Sequence, residues 1–138
     1  MMQLNAYLNF DGTCAEAMRF YQQVLGGQLD LMTSGESPMA DQLPPGSANR
    51  ILHARLSFDG GTLYAADTMI GQPFDGMKGF WASLQCPPAD VPRLFEALSA
   101  GGAKVVMPVQ KTFWSDAFGM LVDRYGTPWM LNGESSNA

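Results

Sequence analysis

The chain contains a single histidine, His53, the one side chain whose ordinary pKa falls near neutrality. Asp67 lies at the end of the following apolar stretch, Leu63-Tyr64-Ala65-Ala66-Asp67. An imidazole beside a carboxylate can act as a general base with its orienting partner. The same two residues have a structural reading, a hydrogen-bonded histidine and a carboxylate capping a turn. Asp116, next to Trp114, is a further acid in an irregular stretch. Cys14 and Cys86 form no CxxC and no cluster with His53, so they read as reduced, small apolar residues. Met120 and Met130 are two of ten methionines, suited either to packing or to an adaptable apolar wall.

These side chains need elements to hold them. Leu4, Ala6, Leu8 and Phe10 alternate with Asn5, Tyr7 and Asn9, which predicts a half-buried strand. Asp11-Gly12 turns the chain, and Thr13 with Glu16 has the spacing of a capping box. The helix that follows carries Ala17, Phe20, Tyr21, Val24 and Leu25 on one stripe and stops at Gly26-Gly27. A strand is predicted from Gln28 to Met32, then a long loop over 33–50, where no period survives. Ile51 to Phe58 alternates again, with His53, Arg55 and Ser57 opposite Leu52, Ala54, Leu56 and Phe58. Asp59-Gly60 marks a hairpin whose second arm ends at Asp67.

The plan then repeats. Phe80, Ala82, Leu84 and Cys86 mark a strand, and a helix from about Ala89 turns Val91, Leu94, Phe95 and Leu98 inward before Gly101-Gly102. Lys104 to Met107 and a hairpin from Phe118 to Leu131 complete it. Gly61-Thr62 recurs as Gly126-Thr127, Tyr64 as Trp129 and Asp67 as Asn132, and Arg19-Phe20-Tyr21 is echoed by Arg93-Leu94-Phe95. Such echoes predict two copies of β-α-β-β-β. The expected layout is a first module over about 1–68, a linker over 69–78 and a second module over about 79–132. The tail, 133–138, has nothing to bury. Leu8, Phe20, Leu56, Phe95 and Trp129 are the expected core.

Composition removes several function classes. Hydrophobic residues make up 46% of the chain, enough for a packed core. Thirteen acids against eight Lys and Arg leave a net charge of −5, which would repel a phosphate backbone, so no nucleic acid partner is expected. No apolar run approaches a membrane span and no leader pattern opens the sequence, so no membrane partner is expected and the expected location is cytoplasmic. There is no phosphate-binding glycine loop, dinucleotide fingerprint or nucleophile elbow.

Three stretches carry a family resemblance: Tyr7-Leu8-Asn9-Phe10-Asp11-Gly12, Ala17-Met18-Arg19-Phe20-Tyr21 before Gly26-Gly27, and Asp123-Arg124-Tyr125-Gly126-Thr127-Pro128-Trp129-Met130. With the tandem repeat, they make the chain resemble the vicinal oxygen chelate superfamily (glyoxalase, bleomycin-resistance proteins, extradiol dioxygenases), nearest its PhnB-like branch. The resemblance implies an α+β fold, a single glyoxalase-like domain over 1–138 whose two modules form a U-shaped mixed sheet with helices on the convex side. It places Asn5, Tyr7, Asn9, His53, Arg55 and Ser57 on the concave side. By the hairpin echo Leu63, Ala65 and Asp67 join them from one module, and Met130 and Asn132 from the other, with Trp81, Phe118 and Met120. Trp129 would face the helices.

Metal-dependent members of that superfamily take His and Glu ligands from the first and last strands of each module. The corresponding positions here are Asn5, Ala65 or Tyr64, a residue between Gly79 and Ser83, and Met130. None is His, Glu or Asp, so neither metal nor cofactor is expected. The resemblance thus implies a protein that binds a small molecule through Asn5, Tyr7, His53, Arg55, Trp81, Phe118, Met120 and Met130. The alternatives are a lyase- or isomerase-type enzyme using His53 and Asp67 or a non-standard metal, and a structural module with a filled concavity. A homodimer is expected, with the 33–50 loop as a candidate arm.

Overall fold

In the computed structural model, which describes residues 2–134, alternation and helical periodicity produce two copies of the same element order. The first comprises Tyr7–Phe10 (β1), Cys14–Leu25 (α1), Gln28–Thr33 (β2), Ile51–Phe58 (β3) and Gly61–Asp67 (β4). The second comprises Ala82–Gln85 (β5), Val91–Ser99 (α2), Lys104–Gln110 (β6), Ala117–Val122 (β7) and Pro128–Gly133 (β8). The fold is α+β, built from tandem β-α-β-β-β modules. They belong to two units, Met1–Gly76 and Met77–Ala138. No helix among the described residues is long and apolar enough to cross a membrane.

In the first unit the sheet order is β1-β4-β3-β2, with β1 parallel to β4 and the other pairs antiparallel. α1 packs against β2, β3 and β4. Leu8, Ala54, Leu56 and Ala65 share that side and are buried, together with Ala17, Met18, Phe20 and Tyr21 of the helix. Gly26 and Gly27 end the helix with positive φ, and a Cβ on Gly27 would lie 2.1 Å from the carbonyl oxygen of Ser57. Only glycine fits there.

Several expectations are corrected. β1 begins at Tyr7, and the two residues expected to continue its apolar face, Leu4 (99% exposed) and Ala6, lie in solvent. Thr13 makes no side-chain cap. The carboxylate of Asp67 does that work instead, accepting from the N–H groups of Gly12 at 2.8 Å and Cys14 at 3.1 Å. A capping box exists elsewhere, between Thr33 and Glu36, where it opens a 3-10 turn inside the 33–50 loop. That loop is anchored at its base by Ser34 N–H to Arg50 carbonyl and Gly35 N–H to Ala48 carbonyl bonds.

In the second unit the order is β5-β8-β7-β6, with β5 parallel to β8. Leu121 pairs with Trp129 and Gly119 with Leu131 on the side facing α2. A Cβ on Gly119 would lie 2.8 Å from the Phe95 ring, so glycine makes room for that aromatic. Phe95 is half-buried rather than fully enclosed, because it sits on the flank of the α2 stripe; Val91, Leu94 and Leu98 are the buried residues. Gly133, expected in a loose tail, ends β8 and is buried, and its carbonyl accepts from Asp116 N–H. Residues 135–138 lie outside the described residues.

Candidate functional site

Strand pairing in the first unit gathers one polar, aromatic group on the sheet face away from α1. Tyr7 opposes Tyr64, Tyr64 opposes Arg55, Arg55 opposes Asp30, and His53 opposes Met32. Neighbouring strands with side chains on the same face put these residues in contact. The Tyr7 and Tyr64 rings stack with centroids 6.2 Å apart, and His53 lies 5.7 Å from Tyr64 and 6.1 Å from Tyr7. The Tyr7 hydroxyl is 3.4 Å from His53 Nδ1. Arg55 donates to Asp30 across a 3.0 Å ion pair whose two side chains are about half exposed. An open depression of about 270 Å³ lies beside them, lined by Asp30, Leu31, Met32, His53 and Arg55.

Partial burial pushes the Tyr7 phenol above its usual range, with the Cys14 thiolate's charge as a smaller cause. Tyr7 therefore stays a neutral donor through the physiological range. Cys14 itself is buried, and its thiol is pushed up to about 12, by burial first and by Asp67 second. A thiol so protonated is no nucleophile. Burial also raises Cys86, with Asp90 adding and Arg93 opposing.

The structure brings together Tyr7, His53 and Arg55, and it separates Asp67 from them. β4 pairs Leu63 with Leu56 and Ala65 with Ala54, so Leu63, Ala65 and Asp67 lie on the helix side, not the open face. Both Asp67 oxygens are engaged with main-chain N–H groups, Oδ1 with Gly12 and Cys14 and Oδ2 with Ile51 at 2.8 Å. The alternative His53–Asp67 pairing is therefore absent, and Asp67 is the capping carboxylate of the structural reading. Tyr64 and Trp129 echo each other in sequence, yet Trp129 faces α2 whereas Tyr64 faces away from α1, because the β7–β8 connection is longer than the Asp59-Gly60 turn. Tyr64 and Asp30 were the functional candidates missed. Strand alternation alone, counted from Leu29 and Leu31 or from Leu63 and Ala65, would have found them.

Asn5 is half-buried and its amide donates to the Thr62 carbonyl at 3.1 Å, which fastens the chain ahead of β1 along β4. In the second unit Met120 opposes Met130 and Phe118 opposes Asn132, on the face away from α2. Phe118 is buried, with the Trp114 ring edge-on at 5.2 Å. Trp81 is exposed immediately before β5. Among the described residues no three His, Cys, Asp or Glu side chains converge as a metal site would require. At the positions corresponding to ligands in metal-dependent relatives, Asn5 is committed to Thr62, Ala65 is buried under α1 and Met130 packs beside Met120. None of these three side chains is an imidazole or a carboxylate.

Asp123 anchors the hairpin of the second unit. Its Oδ1 accepts from the N–H groups of Tyr125 and Thr127, and its Oδ2 accepts from Trp129 Nε1 at 2.8 Å. The Asp123–Trp129 stretch, which carried much of the family resemblance, is thus a structural turn.

Residues 3–131 match the family model of the glyoxalase/bleomycin resistance protein/dioxygenase superfamily. Protein YjdN of Escherichia coli K12 is 34% identical over 141 residues, covering 95% of each chain. The crystal structure of protein PA1353 from Pseudomonas aeruginosa superposes with a TM-score of 0.89 at 41% identity, over 97% of this chain and 98% of that one. A Bacillus cereus PhnB protein, described as a putative 3-demethylubiquinone-9 3-methyltransferase, has the same fold, with a TM-score of 0.75 at 23% identity over 95% and 98% of the two chains.

Proposed function

Because the chain belongs to the glyoxalase/bleomycin resistance protein/dioxygenase superfamily, we propose that it binds a small organic molecule against the helix-free face of its first unit, without a His/Glu metal centre. The observation that carries this reading is the convergence of Tyr7, Tyr64, His53 and Arg55 beside an open depression. At about 270 Å³ that depression is close to the lower end of small-molecule sites, and it combines apolar walls with a few fixed polar groups. The engagement of both Asp67 oxygens by main-chain donors favours binding over catalysis by a His53–Asp67 pair. The methyltransferase description of the Bacillus cereus protein does not transfer, since this sequence has no glycine-rich adenosylmethionine-binding loop.

The test uses the single histidine as a reporter. A diverse set of small molecules is titrated into uniformly labelled protein while the imidazole resonances of His53 are followed. Saturable shifts that disappear in His53→Ala, read there on the Tyr64 ring, support the reading; no responder in the set overturns it. Elemental analysis showing one divalent metal per chain after purification would overturn its metal-free part.

Homodimer formation is part of the proposal. Val105 and Val106 stand about half exposed on β6, an edge strand of its sheet, where a second copy could cover them. Light scattering should then return twice the 15.0 kDa chain mass.

A further inference from the structure

The depression lies over β2 and β3, and the hydrogen-bonding character of its polar groups can be read from their partners. Tyr7 Oη and His53 Nδ1 are 3.4 Å apart. A phenol is a better donor than acceptor, and a neutral imidazole nitrogen is a good acceptor. Which of the two donates depends on the imidazole tautomer; a donating Tyr7 would leave the ring proton on Nε2. His53 then faces a ligand as an N–H donor. Arg55, its neighbour on the same face of β3, gives one N–H to Asp30 and keeps others for a ligand. Met32, opposite His53 in the register, supplies an adaptable, polarisable wall whose sulfur suits contact with an aromatic ring.

We propose that this site selects planar aromatic monocarboxylates, with the carboxylate held by Arg55 and His53 Nε2–H and the ring laid on Met32. The assignment rests on the binding reading above and narrows it to a ligand class. Arg55 and a carboxylate make a charge-assisted, potentially bidentate pair. Asp30 limits the ligand to one negative charge, because its own carboxylate stands 3.0 Å from the same guanidinium. Tyr7 is a positioning residue, acting through the tautomer of His53.

The experiment is nitrogen-15 spectroscopy of the one histidine, with benzoate, benzamide, acetate and phthalate as probes. In the free protein at pH 8 His53 should be the Nε2–H tautomer, and Tyr7→Phe should convert it to a mixture while the melting temperature stays within a few degrees. Benzoate should bind at least roughly tenfold more tightly than benzamide, acetate or phthalate. Arg55→Gln should weaken benzoate by about tenfold or more, and Asp30→Asn, which frees Arg55 and removes a negative charge, should strengthen it. An Nδ1–H tautomer in the free protein overturns the assignment, as does benzamide binding as well as benzoate or Asp30→Asn weakening it. Neutral compounds that saturate at His53 would overturn this ligand class while leaving the binding reading intact. A set in which nothing perturbs His53 would overturn both.

Discussion

Asp67 closes the first module by accepting the main-chain N–H of Ile51 at 2.8 Å, so the last residue of β4 fixes the first residue of β3. Its other oxygen holds the start of α1 through Gly12 and Cys14. One carboxylate thus joins two strands and a helix terminus, where its charge also suits the helix dipole. Asp67→Ala should leave three donors without their acceptor and cost about 2–4 kcal/mol in urea unfolding. Asp67→Asn, which keeps one acceptor oxygen, should cost less. A loss below roughly 0.5 kcal/mol for the alanine variant would show that water replaces the carboxylate at no cost.

Asp123 plays the matching part in the second module, through Tyr125, Thr127 and the Trp129 indole. It is buried, so Asp123→Ala should cost roughly 3 kcal/mol or more. The indole would lose its acceptor, and the tryptophan emission should change with it. Phe substituted for Trp129 should cost less than Asp123→Ala, because it removes one donor and leaves the two main-chain bonds in place.

Cys14 gives a pH dependence with a defined sign. Its thiol titrates near 9 in the unfolded chain and is pushed up to about 12 in the fold. The folded state therefore holds this proton more tightly. The stabilisation is complete below pH 9 and is lost progressively as pH rises towards 12. Urea midpoints at pH 8, 10 and 11 should fall in that order, and Cys14→Ala should flatten the Cys14 part of the decline. Alkylation at pH 8.5 should modify half-buried Cys86 before fully buried Cys14.

His53→Ala separates function from stability. The imidazole is exposed and its hydrogen bond to Tyr7 is long. The substitution should cost less than about 1 kcal/mol. Any small molecule that binds the first unit's open face should nevertheless lose most of its affinity. A thermal melt and a titration on the same variant give both numbers, and a destabilised variant that still binds would remove His53 from the site.

Periodicity determines the element order of this protein. Two turns of alternation and helical stripe, punctuated by Gly26-Gly27 and Gly101-Gly102, yield β-α-β-β-β twice, because side-chain direction follows local backbone geometry. Leu8, Leu56 and Trp129 were legible as core for the same reason, whereas the shared face of Tyr7, His53 and Arg55 came from the family resemblance together with strand alternation. Cross-strand partners were not legible. Register depends on how many residues each turn consumes, and a slip of one residue exchanges the two faces of a strand. That slip, between the short Asp59-Gly60 turn and the longer connection from β7 to β8, sent Asp67 to the wrong side and hid Tyr64. Which carboxylate caps α1 was equally a tertiary decision. Thr13 stands at the right place in the chain, but Asp67 reaches the same donors from another strand with a full negative charge. Residue types and their spacing determined the elements; only the folded register decided which side chains meet.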